Sequence, residues 1–126
     1  MGIFNKLFDK QENEKVSFNW IALNDMQQLD AIAANKERVS VLFKHSTRCI
    51  ISKTVLKEIE NKHRDITNKI DFYYLDLLNF RPISLEIAKR FEVEHQSPQM
   101  LVVSNGSVLK HASHHEAVSI ELEDFI

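Results

Sequence analysis

The sequence predicts an α/β domain built on a mixed sheet, and three observations carry that expectation. Apolar segments switch between strand-like runs and helix-like spacings along the chain, more than a dozen residues separate the first two strand-like runs, and an Asn105-Gly106 pair lies between the last two. A helix-length segment between strands permits a right-handed parallel crossover, whereas Asn-Gly is the strongest short-range signal for an antiparallel hairpin. A parallel pair followed by a hairpin makes the sheet mixed.

The elements follow in order. The first fifteen residues mix Lys, Asp, Glu, Asn and Gln with a few apolar positions, which suggests a loosely held arm or a short amphipathic helix; residues 1–18 are taken as the arm and 19–126 as a single domain. Asn24 or Asp25 can cap a helix in which Met26, Leu29, Ile32 and Ala33 form one apolar face, ending near Asn35. Arg38 to Lys44 is short, β-branched and apolar on both parities, as suits a central parallel strand. His45, Ser46, Thr47 and Arg48 form a polar joint, and Ser52, Val55, Leu56 and Ile59 then share a helical face up to about His63, so that Cys49 falls in the first turn. Ile70 to Leu78 is the second parallel strand. Pro82 opens a third helix, with Ile83, Ile87, Ala88 and Phe91 on its apolar face. Pro98 immediately precedes the strand Gln99 to Ser104, which Asn105-Gly106 joins to Val108–Ala112. Ser113 as N-cap with Glu116 three residues on predicts a capping box, opening a closing helix whose face is Ala117, Val118, Leu122 and Phe125.

After an added N-terminal helix the order is therefore β-α-β-α-β-β-α on a mixed four-stranded sheet, the order of the thioredoxin-like fold. Cys49 at the helix start after the first strand, and Pro98 just before the third, lie where that fold carries its two landmarks.

Composition narrows the function. At 126 residues the chain is one domain. Sixteen Lys and Arg against 18 Asp and Glu give a net charge of −2, which supplies no basic field for nucleic acid or an anionic membrane. A single cysteine excludes an intramolecular disulfide and a multi-cysteine metal site within one chain, and points to a reducing, cytoplasmic location. No signal-peptide core and no run of ~20 apolar residues is present. Two glycines cannot build a Walker loop or a dinucleotide fingerprint.

The chemistry centres on Cys49. A thiol at a helix N-terminus meets unsatisfied N–H groups and the positive end of the macrodipole, both of which favour thiolate; Arg48 is adjacent, and His45 and Lys44 lie just upstream. Ser52, one turn on in a Cys-x-x-Ser arrangement, can hydrogen-bond the sulfur but cannot resolve a disulfide. With no second cysteine, any redox cycle is monothiol: Cys49 takes a small thiol from a mixed disulfide and waits for a second external thiol. Pro98, as a cis peptide after Ser97, would expose backbone groups to which a disulfide partner can pair as an extra strand.

The run Lys44-His45-Ser46-Thr47-Arg48-Cys49-Ile50-Ile51-Ser52, then Ser97-Pro98-Gln99 before a strand, then His111-Ala112-Ser113-His114 opening the last helix, resembles the monothiol bacilliredoxins of the YtxJ type, from roughly Trp20 to the C-terminus. The resemblance implies a thioredoxin-like protein of the bacillithiol system in which Cys49 is the nucleophile, Ser52 the non-resolving position and Pro98 the cis-proline. One position departs: the family places proline after the cysteine, and this chain has Ile50, which adds an amide donor and loosens the turn.

The resulting expectation is a monothiol thiol–disulfide oxidoreductase. Its catalytic set is Cys49, Ser52, Arg48 and His45, and its substrate contacts are Thr47, Ser97, Pro98 and Gln99. No cofactor is bound; bacillithiol is the co-substrate and S-thiolated client proteins are the partners, with neither nucleic acid nor membrane involved, and the chain is a monomer or weak dimer. His111, His114 and His115 could suggest zinc, but a strand end and a helix cap account for them, and no metal site is assigned. Two other readings stand beside this one: a non-catalytic thioredoxin-fold adaptor, and a glutaredoxin-like protein sharing an iron–sulfur cluster between subunits.

Overall fold

The computed structural model describes residues 18–126; the arm or helix expected over the first fifteen residues lies outside them. The elements are β1 (Trp20–Ala22), α1 (Met26–Ala34), β2 (Ser40–His45), α2 (Ile50–His63), β3 (Asp71–Asp76), α3 (Arg81–Phe91), β4 (Gln99–Ser104) and β5 (Ser107–Ser113), with short 3₁₀ helices at Arg64–Ile66, His114–Ser119 and Leu122–Phe125. Asp25 caps α1 through a complete capping box: its carboxylate accepts the Gln28 N–H at 3.0 Å, and the Gln28 side-chain oxygen accepts the Asp25 N–H at 3.1 Å. Pro82 sits in the first turn of α3, where a missing N–H costs nothing, and Glu92 ends that helix in the left-handed region at φ 54°.

The strands form one sheet in the order β1-β3-β2-β4-β5. β3 pairs parallel with both β1 and β2, while β4 pairs antiparallel with β2 and β5. Alternation along β2 divides the core. Val41 and Phe43 face Val55 and Ile59 of α2, together with Phe72, Met100, Ala117 and Leu122; Leu42 faces Leu29, Ile32, Ile83 and Ile87 of α1 and α3. The hairpin between β4 and β5 needs Gly106: its φ is +79°, and a Cβ there would stand 3.0 Å from the Ala33 carbonyl oxygen.

Two expectations are corrected. The sheet has five strands, because Trp20–Ala22 adds an edge beside Phe72–Tyr74. Three residues show no periodicity of their own. What holds them is the Trp20 ring, packed on Phe43, Phe72 and Tyr74, and its indole N–H, which donates to Glu60 of α2 at 2.7 Å. The closing segment is two 3₁₀ helices instead of an α-helix, and the Ser113 side chain makes no capping bond. Its first amide is drawn aside: the His114 N–H donates to the Pro98 carbonyl at 2.7 Å while His114 adopts φ 56°. Ala117 and Ile120, three apart, then enter the core at the 3₁₀ repeat.

Candidate functional site at the start of α2

The chain leaves β2 at His45 and turns once before α2. In that turn the Cys49 N–H donates to the Ser46 carbonyl at 3.2 Å, and Cys49, extended at φ −105° and ψ 124°, becomes the N-cap of α2. The first-turn amides of a helix have no partner within it, and here they meet sulfur. The Cys49 pKa is held below the ordinary thiol value chiefly by a hydrogen bond from the Ser52 N–H, with further ones from the Ile51 N–H and the Ser52 hydroxyl; partial burial opposes them. The thiol itself is half-buried and unpaired with any other cysteine.

Ser52 is fully buried. Its oxygen accepts the Ser46 N–H at 3.3 Å, tying the joint to the helix. The hydroxyl proton is then free to point at Cys49.

None of the basic residues near Cys49 in sequence is among the groups that lower its pKa. Alternation sends Lys44 through the sheet toward α3, and Arg48 and Thr47 are exposed, with the Arg48 N–H donating to the Ser46 hydroxyl at 3.4 Å. His45 is buried, its ring 5.2 Å from that of Tyr74 and its Nδ1 without a hydrogen bond. Burial lowers its pKa, against the pull of Asp76 beside it on β3, and keeps the imidazole neutral. The thiol is thus activated by helix hydrogen bonds and not by neighbouring cations.

The Ser97–Pro98 peptide bond is cis, and Pro98 is buried directly before β4. Lys44 opposes Gln99 in the antiparallel β2–β4 register, so Pro98 lies at the end of β2 from which the Cys49 turn departs. Ser97 has its hydroxyl buried without a partner, and among the described residues no hydrogen bond takes up its backbone N–H or C=O. Gln99 faces inward: its amide nitrogen donates to the Glu94 carbonyl at 2.9 Å and its oxygen accepts the Gln96 N–H at 3.4 Å. It braces the loop before Pro98 and presents no side chain to a substrate. Sequence reasoning missed this brace and a buried cluster around Lys44, although a lysine inside an otherwise apolar strand was its visible signal.

Among the described residues no group of three His, Cys, Asp or Glu side chains is placed to hold a metal, and no helix is long and apolar enough to cross a membrane.

A sheet of this order with a hydrogen-bonded thiol at the N-cap of α2 defines a thioredoxin-like protein with a thiol redox role. The comparisons narrow the class. The model of the family described as monothiol bacilliredoxin BrxC matches residues 21–122, and the chain belongs to that family. Among solved structures, a candidate oxidoreductase with a thioredoxin fold is 28% identical, superposes with a TM-score of 0.70 and covers 79% of this chain and 88% of its own. Thioredoxin from Trypanosoma brucei brucei gives a TM-score of 0.71 at 17% identity, covering 88% of this chain and 95% of its own. Malassezia sympodialis thioredoxin gives 0.67 at 15% identity, covering 82% and 85%. The last two show the fold alone.

Proposed function

We infer that the protein is a monothiol thiol–disulfide oxidoreductase that removes a small thiol, bacillithiol, from mixed disulfides on client proteins. The observation that carries this reading is the half-buried Cys49 thiol at the N-cap of α2, one turn before the buried Ser52, in a chain with no second cysteine.

The Cys49 thiolate attacks the small-thiol sulfur of the mixed disulfide. The bond to the client sulfur breaks, the client leaves as a thiolate and takes up a proton, and a Cys49–small-thiol disulfide forms. A second small-thiol thiolate then attacks that adduct, restoring Cys49 and releasing the symmetrical small-molecule disulfide. Ser52 has no part in resolution, since a hydroxyl cannot displace a thiolate here. It holds the attacking sulfur ionised. The unpaired backbone of Ser97 beside Pro98 gives the client an edge to pair with before attack.

The test is release of free client thiol from a bacillithiolated protein, with a glutathionylated one in parallel and a second small thiol supplied. Release that depends on Cys49 and favours the bacillithiol adduct supports the reading. A Cys49→Ser variant that releases as much, or that retains every client interaction while the wild type releases nothing, sinks it in favour of an adaptor.

A further inference from the structure

Lys44 is the only lysine or arginine in β2, and it is 0% exposed. Among the described residues no carboxylate meets it. Its Nζ donates to the Ser84 carbonyl of α3 at 3.1 Å and to His95 Nδ1 at 3.1 Å, and the Ser84 hydroxyl lies 3.2 Å from the same ring nitrogen. A nitrogen that accepts from an ammonium carries no proton, so His95 is neutral with its hydrogen on Nε2. Burial without a countercharge brings the Lys44 pKa down to about 8, and burial and the Lys44 charge lower that of His95.

Burying an ammonium at a strand position that an apolar side chain would fill is costly, and the cluster's location suggests what the cost secures. Three pieces meet at Nζ: the end of β2 that leads into the Cys49 turn, the first half of α3, and the loop between Glu92 and Pro98. That loop is otherwise held by Gln99 at Glu94 and Gln96, and by the Val93 N–H on the Ala88 carbonyl. His95 is exposed apart from this contact. Val93 anchors the inner side of the loop in the core, and among the described residues the bonds at His95 are the only side-chain hydrogen bonds from the loop to β2 or α3.

We propose that Lys44 is a positioning residue for client docking: through His95 it pins the loop before Pro98 against β2 and α3, so that the edge at Ser97 is already formed when a disulfide partner arrives. The proposal deepens the reading of Ser97 and Pro98 as a docking edge and rests on it. It separates two tasks on one strand, with hydrogen bonds on the α2 face tuning the thiol and Lys44 on the opposite face placing the partner.

Two variants of the full chain test it. Lys44→Met replaces the buried ammonium with an apolar side chain of similar volume, and His95→Ala removes the exposed end of the brace and leaves the core untouched. Amide exchange read by mass spectrometry over residues 93–99 is expected to quicken by about tenfold in both, with α2 and β3 peptides unchanged. KM for a thiolated protein is expected to rise by about fivefold, with kcat and the rate of Cys49 alkylation by iodoacetamide as in the wild type. Unchanged loop exchange in both variants overturns the proposal, whatever the activity. So does a fall in kcat or alkylation rate with KM constant, which would assign Lys44 to the thiol chemistry. Faster loop exchange in a protein whose wild type removes no small thiol keeps the brace and refutes the enzymatic reading instead.

Discussion

Ser52 stands one turn after Cys49 with its hydroxyl oxygen accepting the Ser46 N–H at 3.3 Å, which ties the joint that carries the thiol to the first turn of α2. The same hydroxyl retains its proton to donate, and it helps to hold the Cys49 pKa down. In this monothiol site the serine is a donor that stabilises thiolate, and it is itself locked in place by complete burial.

Ser52→Ala removes the hydroxyl that helps to hold the Cys49 pKa down and leaves the Ser52 and Ile51 amides in place. The Cys49 pKa is expected to rise toward the ordinary thiol value, and alkylation at neutral pH to slow by about threefold, in proportion to the thiolate fraction. Ser52→Cys would retain the position but add a resolving thiol. A pH profile of iodoacetamide reactivity for the alanine variant checks this, and an unmoved midpoint would show that the hydroxyl points elsewhere.

Ile50→Pro is expected to be tolerated. Cys49 is already extended, the conformation required before proline, and the Ile50 amide is not among the groups that bond the sulfur. Ile50 is 78% exposed, so no core contact is lost. The Cys49 pKa should stay where it is while stability rises by about 0.4–1 kcal/mol through the stiffer unfolded chain. Denaturant midpoints and alkylation profiles of the two proteins measure both halves of this statement.

His63 is buried against Phe72 at the end of α2, its Nε2 has no partner among the described residues, and burial brings its pKa down to about 4. Between that value and the ordinary 6.5 the unfolded chain binds a proton that the folded chain refuses. Stability therefore falls as pH drops through this window, by up to about 3 kcal/mol from this residue. His63→Leu should remove that part of the acid sensitivity. Urea melts at pH 7 and pH 4.5 give the comparison, and equal pH dependence in both proteins would contradict it.

Trp20→Phe keeps an aromatic ring over Phe43 and Phe72 but loses the bond to Glu60, for a cost of about 1 kcal/mol. Trp20→Ala empties the site, costs on the order of 2–4 kcal/mol and detaches β1 from β3. Thermal melts together with amide exchange over residues 18–23 would show both effects.

The architecture around Cys49 was legible because strong local signals agree with the tertiary structure: an apolar β-branched run, a polar joint, a one-faced helix, prolines at two starts and Asn-Gly at the hairpin. Two elements were not legible, for physical reasons. β1 owes its existence to ring contacts with residues 23 to 54 positions away, which no window of sequence displays. The Ser113–Glu116 capping pattern is sound locally but yields to the His114 bond to Pro98. In the site, sequence proximity misled over Lys44, which parity along β2 places on the face opposite to Val41 and Phe43. Cys49, Ser52 and Pro98 stand out in the sequence because each lies at or near an element end.

If Cys49 works without a resolving partner, it accepts the small thiol and holds it until a second small thiol arrives. Intact mass spectrometry of the protein after brief exposure to a bacillithiolated client measures this directly. An adduct of one small thiol per chain is expected, located on Cys49, absent from Cys49→Ser and stable until more small thiol is added. A client that stays fully modified beside an unmodified, reduced Cys49 would contradict it.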